Sequence, residues 1–214
     1  NPTESDELDG KREFGGACAT YRPQKGHFVD FYYLYFENAN NVVQQNIAIA
    51  PTEVHTVGTR YAGDHCGWLW DIWGAVQFGN QDGRDLTAGA YTASVGRSFN
   101  DKCWSPTAWV CFEHASGTPN PGVGDAHTFN QLYPFGHYYL GWIDQVGRQN
   151  INDLNAHLFL YPNNWTTLWL QYHHFWLDQS RDALYNAGGV AIRRDATGAA
   201  GNNVGDEVDV VVNF

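Results

Sequence analysis

The stretch Glu207-Val208-Asp209-Val210-Val211-Val212-Asn213-Phe214 decides the fold. Val208, Val210, Val212 and Phe214 fall on one side of an extended chain and Glu207, Asp209 and Asn213 on the other, with only Val211 out of step. Successive side chains of a β-strand point to opposite faces, so this two-residue period describes a strand with one apolar and one polar face. Leu154, Ala156, Leu158 and Leu160 repeat the pattern against Asn155, His157 and Phe159. Nine stretches carry such a reading: 12–21, 27–37, 53–61, 67–79, 84–98, 107–116, 151–160, 165–177 and 207–214. The chain is therefore all-β, and the open question is whether its apolar face meets a core or lipid.

Composition leans toward lipid. Of 214 residues 15% are aromatic, including 9 Trp, while only 16% are charged, against about a quarter in a soluble domain. The length suits one core or most of one barrel. A net charge of −11, from 23 acidic and 12 basic residues, argues against a nucleic-acid partner. No apolar run reaches the ~18 residues of a membrane helix, but a transmembrane β-barrel needs only half-polar segments of about ten. The chain starts at Asn1 and contains no Met, which reads as a processed or partial chain.

Turn chemistry punctuates the strands at Arg22-Pro23-Gln24-Lys25-Gly26, Ala62-Gly63-Asp64-His65, Gln81-Asp82-Gly83 and Tyr161-Pro162-Asn163-Asn164, so neighbouring strands are antiparallel hairpins. Beyond an acidic N-terminal segment, 1–11, the rest of the chain, 12–214, reads as barrel wall with two long loops, 117–150 and 178–206, and an intermediate connection at 38–52. Alternating strands up and down sends these three connections to one end and the tight turns at 22–26, 62–66, 99–106 and 161–164 to the other. Outer-membrane barrels share this asymmetry. The expected fold is an antiparallel up-and-down transmembrane β-barrel, incomplete because an odd count of strands cannot close an antiparallel barrel.

Within the strands, Trp68, Trp70, Ile72, Val76 and Phe78 oppose Leu69, Asp71, Trp73 and Gln77, and Leu168, Leu170 and Tyr172 oppose Trp169, Gln171 and His173. Aromatics on polar faces, such as Trp73, Trp169 and Phe175, either fill space or grip sugar rings. The repeat Leu86, Ala88, Ala90 is too weak to orient 84–98, and Tyr91 and Arg97 stay unassigned. Cys66 and Cys103 share the tight-turn end and form a possible disulfide. Cys18 and Cys111 lie within strands and read as free thiols.

The stretch His127-Thr128-Phe129-Asn130-Gln131-Leu132-Tyr133-Pro134-Phe135-Gly136-His137-Tyr138-Tyr139-Leu140-Gly141-Trp142, with Asp144, Gly147, Gln149 and Asn150, resembles the bacterial alginate-export family of outer-membrane porins. So does Ser180-Arg181-Asp182-Ala183-Leu184-Tyr185-Asn186-Ala187-Gly188-Gly189-Val190, with Arg193-Arg194-Asp195 and Thr197-Gly198. The likeness runs from about residue 50 onward and is strongest over 127–214; it is nearer to the family's alginate-export-domain proteins than to the alginate exporter itself. It implies a single-chain barrel with more strands than nine, in the bacterial outer membrane after export through the periplasm. A polyanion conduit calls for inward Arg and Lys. Only Arg60, opposite Val57, Thr59 and Tyr61, and Arg148, Arg193 and Arg194 in or near the loops offer themselves.

An enzyme is not expected. Glu113-His114 and Tyr172-His173-His174 place acid and base groups side by side, but the chain has no HExxH, GxSxG or phosphate loop, and no cofactor or metal site. The expected function is a porin-like channel for passive passage of a saccharide or other small polar or anionic solute. His137, Tyr138 and Trp142 would constrict it, and Arg148, Arg193, Arg194 and Arg60 would meet the solute. Its partners would be the lipid bilayer, that solute and, through open sheet edges, further copies in a homo-oligomer or multichain assembly. The alternative is a soluble or surface carbohydrate-binding β-sandwich.

Overall fold

The structure, a computed structural model, describes residues 10–133 and 137–214. The acidic segment 1–11 thus lies almost wholly outside the described residues, as do Pro134, Phe135 and Gly136 of the long loop. Nine strands form one sheet: β1 (Arg12–Tyr21), β2 (Phe28–Gln44), β3 (Ile47–His65), β4 (Trp68–Gln81), β5 (Arg84–Ser98), β6 (Thr107–Ala115), β7 (Ile151–Asn163), β8 (Thr166–Leu177) and β11 (Asn203–Asn213). Every pairing is antiparallel. Two short strands, β9 (Ala183–Tyr185) and β10 (Ala191–Arg194), make a separate hairpin between β8 and β11.

The sheet is an up-and-down meander, and it does not close. Its edges, β1 and β11, run in the same direction because eight reversals separate them. They cannot pair antiparallel with each other, so closure requires an odd number of further strands. The sheet stands alone, without a second large sheet packed on it among the described residues, so the two-sheet sandwich is not the architecture.

Tight turns follow from residues that accept positive φ. Cys66-Gly67 (φ 49° and 80°) and Asp82-Gly83 (φ 53° and 73°) are two-residue hairpin loops, whose left-handed conformations match the strand twist. Gln45-Asn46 (φ 49° and 60°) makes a third. Here the structure corrects the expected intermediate connection at 38–52: β2 and β3 continue through it to a two-residue turn. The run Asn38-Ala39-Asn40-Asn41 reads as a loop by composition, yet it is absorbed as a bulge between Asn38 and Val42. Asn38 Oδ1 accepts both the Asn40 backbone N–H (3.1 Å) and its side-chain amide (2.9 Å), satisfying groups that leave the ladder.

The two faces differ sharply. On β4, Val76 is 58% exposed and Gln77 1%; on β11, Val208 is 70% exposed and Glu207 7%. Apolar residues thus lie bare to the surroundings, while polar ones are covered by loops. Val57, Val76, Ala93, Val110 and Val210 occupy the bare face. Tyr21 and Trp68 flank it toward the tight turns, and Phe78 and Tyr91 flank it toward the long loops. An apolar band between aromatic girdles is the pattern of a lipid-facing barrel wall. Tyr91 and Arg97 both belong to this face, Arg97 lying over the Trp68 ring at 5.0 Å.

The possible Cys66–Cys103 disulfide is not formed; both are exposed free thiols. The β3–β4 turn and the β5–β6 loop lie two strand spacings apart, about 10 Å, whereas a disulfide tolerates Cα separations of at most ~7 Å. Cys18 and Cys111 are likewise free, Cys111 being buried on the covered face.

An Arg at the middle of the bare face tests its surroundings. Val76→Arg should cost about 2–4 kcal/mol in urea unfolding from lipid vesicles. In a water-facing wall the same change would leave the midpoint unmoved.

Candidate functional site

Small residues make room on the covered face. Ala75 on β4 and Ala88 and Ala90 on β5 are buried beneath loop 116–150, in a cluster with Phe129, Leu140 and Val146 from that loop. The weak repeat that failed to orient 84–98 is thus a hollow into which the loop packs. Phe129 meets Trp73 edge-on at 6.3 Å.

Backbone-directed hydrogen bonds fix the loop there. Asn130 N–H donates to Gln77 Oε1 (2.7 Å), and Gln77 Nε2 donates back to the Asn130 carbonyl (2.7 Å) and to Thr56 Oγ1 (3.1 Å). Gln77 thereby mimics a missing strand. Ile143 N–H donates to Glu207 Oε1 (2.9 Å), carrying the loop across to β11. At its end Asn150, fully buried, donates to the Gln179 and Ala183 carbonyls and accepts from Gln179 N–H (2.7 Å), joining this loop to 178–202.

A cavity of about 660 Å³ remains between the loop and the sheet. Part of its lining is aromatic: Phe159 stacks on Trp169 (5.0 Å, 20°), and Tyr138 leans on Trp169 at 5.2 Å. His157, whose Nδ1 accepts from Trp169 Nε1 (3.1 Å), continues the row. His137 also reaches the cavity; its ring stacks on Trp142 (5.3 Å, 13°) and its Nδ1 lies 2.8 Å from Asp144. Trp142 stands outside the lining, edge-on to Trp169 at 6.1 Å. Of the three expected constriction residues, Tyr138 and Trp142 thus meet Trp169, and His137 joins them through Trp142.

Of the four expected arginines, only Arg60 and Arg148 reach the cavity. Arg60 points into the cavity and grips Asp71 with two bonds, Nε to Oδ1 at 2.8 Å and Nη2 to Oδ2 at 2.5 Å. Arg148 pairs with buried Glu113, donates to Thr92 Oγ1 (2.8 Å) and lies over the rings of Trp73 (4.9 Å) and Tyr139 (5.5 Å). Arg194 is elsewhere, donating to the Arg181 and Gln45 carbonyls (3.0 and 3.1 Å) and tying the β9–β10 hairpin to the β2–β3 turn. Arg193 is exposed on β10, paired across to Leu184, and does not line the cavity.

The suspected acid–base neighbours are split by the pleat. Buried His173 binds Asp153 (2.8 Å) on the covered face, whereas His174 binds Asp206 (2.9 Å) on the bare one. Glu113 faces the cavity, and His114 turns outward to Asn152 (2.8 Å).

Sequence reasoning named Gln77, Asn150 and Asp182 but gave them no role in holding the loops. Asp182 is 1% exposed and accepts from Thr118 N–H, Thr128 Oγ1, Ala183 N–H and Tyr185 OH. Burial pushes its carboxyl above the ordinary value, and these hydrogen bonds pull the other way. An acidic residue directly before the apolar run Ala183-Leu184-Tyr185 was the available signal.

An all-β meander with one bare apolar face, and with polar loops folded over the other, defines a barrel-wall protein. The chain matches the family model described as alginate export over residues 1–214, and it belongs to that family. The match takes in the first fifty residues as well, beyond the span over which the motifs alone suggest it. The family is one of outer-membrane export proteins. No curated protein matches the chain.

Arg148→Ala should destabilise the protein by about 3–5 kcal/mol, because it strands the buried Glu113 carboxylate. The double change Arg148→Met with Glu113→Leu should recover most of that loss in urea titrations. For Asp182, the native loop keeps a proton that the unfolded chain releases at about 3.9. Its contribution to stability therefore weakens as pH rises from there through the higher folded value, and is constant above. Comparing unfolding midpoints of Asp182→Asn and the native chain from pH 3 to 8 should show that slope removed.

Proposed function

We propose that the chain forms the wall of an outer-membrane channel through which a saccharide or other small polar solute passes passively. The covered face is the channel side and the bare face the lipid side. Loop 116–150 narrows the passage, and the observation that carries this reading is its attachment across the covered face, from Gln77 on β4 to Glu207 on β11. A surface loop that merely capped the strands would not need hydrogen-bond partners on the inner faces of two distant strands.

The role needs no catalysis, and solute movement follows its gradient. Export through the periplasm to the outer membrane and contact with the bilayer fit the bare face. The two open edges, β1 and β11, supply unpaired backbone groups to whatever strands complete the wall, including those of a multichain assembly. Arg60 and Arg148 would meet the solute alongside Tyr138 and His137; Arg193 and Arg194 would act at the rim.

Single-channel conductance of the reconstituted protein tests the gating role. Removing 120–145 should raise conductance severalfold while leaving the protein folded by heat-modifiable gel migration. An unchanged conductance would reject the loop as the constriction.

A further inference from the structure

We infer that the cavity beneath loop 116–150 takes an uncharged pyranose ring and discriminates against a polyuronate. The inference rests on the saccharide-channel reading and specifies its solute. At about 660 Å³ the cavity is of the size of small-molecule sites. Its aromatic row places the rings of Phe159 and Tyr138 at 5.0 and 5.2 Å from that of Trp169. The C–H faces of a sugar ring pack on such rings, and its hydroxyls need acceptors and donors around the rim.

Charge decides the class. Four carboxylates, Asp30, Asp71, Glu113 and Asp144, line the cavity against two guanidiniums, Arg60 and Arg148. Both guanidiniums are already engaged by carboxylates, Arg60 by Asp71 and Arg148 by Glu113. The Arg148–Glu113 pair is also largely buried, with side-chain exposures of 17% and 5%. A uronate entering here would have to break an ion pair to gain a guanidinium, and would meet Asp30 with no lining guanidinium on it and Asp144 held only by His137. A neutral ring faces neither cost, and its hydroxyls can donate to those same carboxylates. Asp30 Oδ1 already accepts from Thr20 Oγ1 at 2.6 Å, as a sugar hydroxyl would donate.

The test is intrinsic tryptophan fluorescence of the full protein in detergent, titrated at low salt with a neutral glucose hexasaccharide and with a hexauronate. The neutral sugar should give a saturable change, and the hexauronate should bind at least about tenfold more weakly. Phe159→Ala should weaken the neutral sugar about fivefold. Glu113→Gln, which frees Arg148, should narrow the gap between the two sugars. Tighter binding of the hexauronate to the native protein would overturn the inference. A saturable neutral-sugar signal unaffected by Phe159→Ala would also overturn it. No response to either sugar would remove the site while leaving the conductance result, and with it the channel reading, untouched.

Discussion

The alternation of side chains across a single sheet, with every interior strand's backbone satisfied by its neighbours, is the constraint from which the rest of this molecule follows. Where water is absent an unpaired backbone group costs several kcal/mol, so a membrane wall built of strands must pair every interior strand on both sides. The antiparallel ladders from β1 to β11 do this, and only the two edges are left open. The two-residue period then forces each strand to present one set of side chains to each side. Val76 and Gln77 are adjacent in the chain and differ from 58% to 1% in exposure because alternation puts them on opposite faces and the loop covers only one.

Once one face is committed to apolar surroundings, the other must solve a harder problem. It carries Glu113, Asp153, His173 and Glu207, all buried, and a buried charge is tolerated only when paired or hydrogen-bonded. The folded loops supply part of what is missing: Arg148 neutralises Glu113, and Ile143 N–H caps Glu207. Other partners come from the wall itself, as when Asp153 holds His173. The loop is thus both the lid of the cavity and the counter-charge of the wall. This coupling explains why a residue in a connection, Arg148, is as buried as one in a strand.

Much of the fold was legible in order along the chain, because strand periodicity and turn chemistry are local properties. The nine sheet strands, their up-and-down order and the face of Arg60 could all be read this way. Local reading failed where composition and context disagree. Asn38 to Asn41 looked like a loop because asparagines favour turns, yet a bulge accommodates them inside a strand. The Ala88 and Ala90 repeat looked featureless because alanine carries little hydrophobic signal, yet smallness was its function under Phe129.

The site was less legible. The long aromatic loop and the search for inward charge singled out His137, Tyr138, Trp142 and Arg148; the first three gather beside Trp169, and Arg148 lies over Trp73. The same reasoning grouped Arg193 and Arg194 with them, though the β9–β10 hairpin holds that pair elsewhere. Sequence by itself determined the sheet, its facing and the family, since each is written in short-range pattern. Tertiary structure alone decided which charges are spent on one another. Pairings such as Arg148 with Glu113, 35 residues apart, depend on where a long loop lands, and no local period records that.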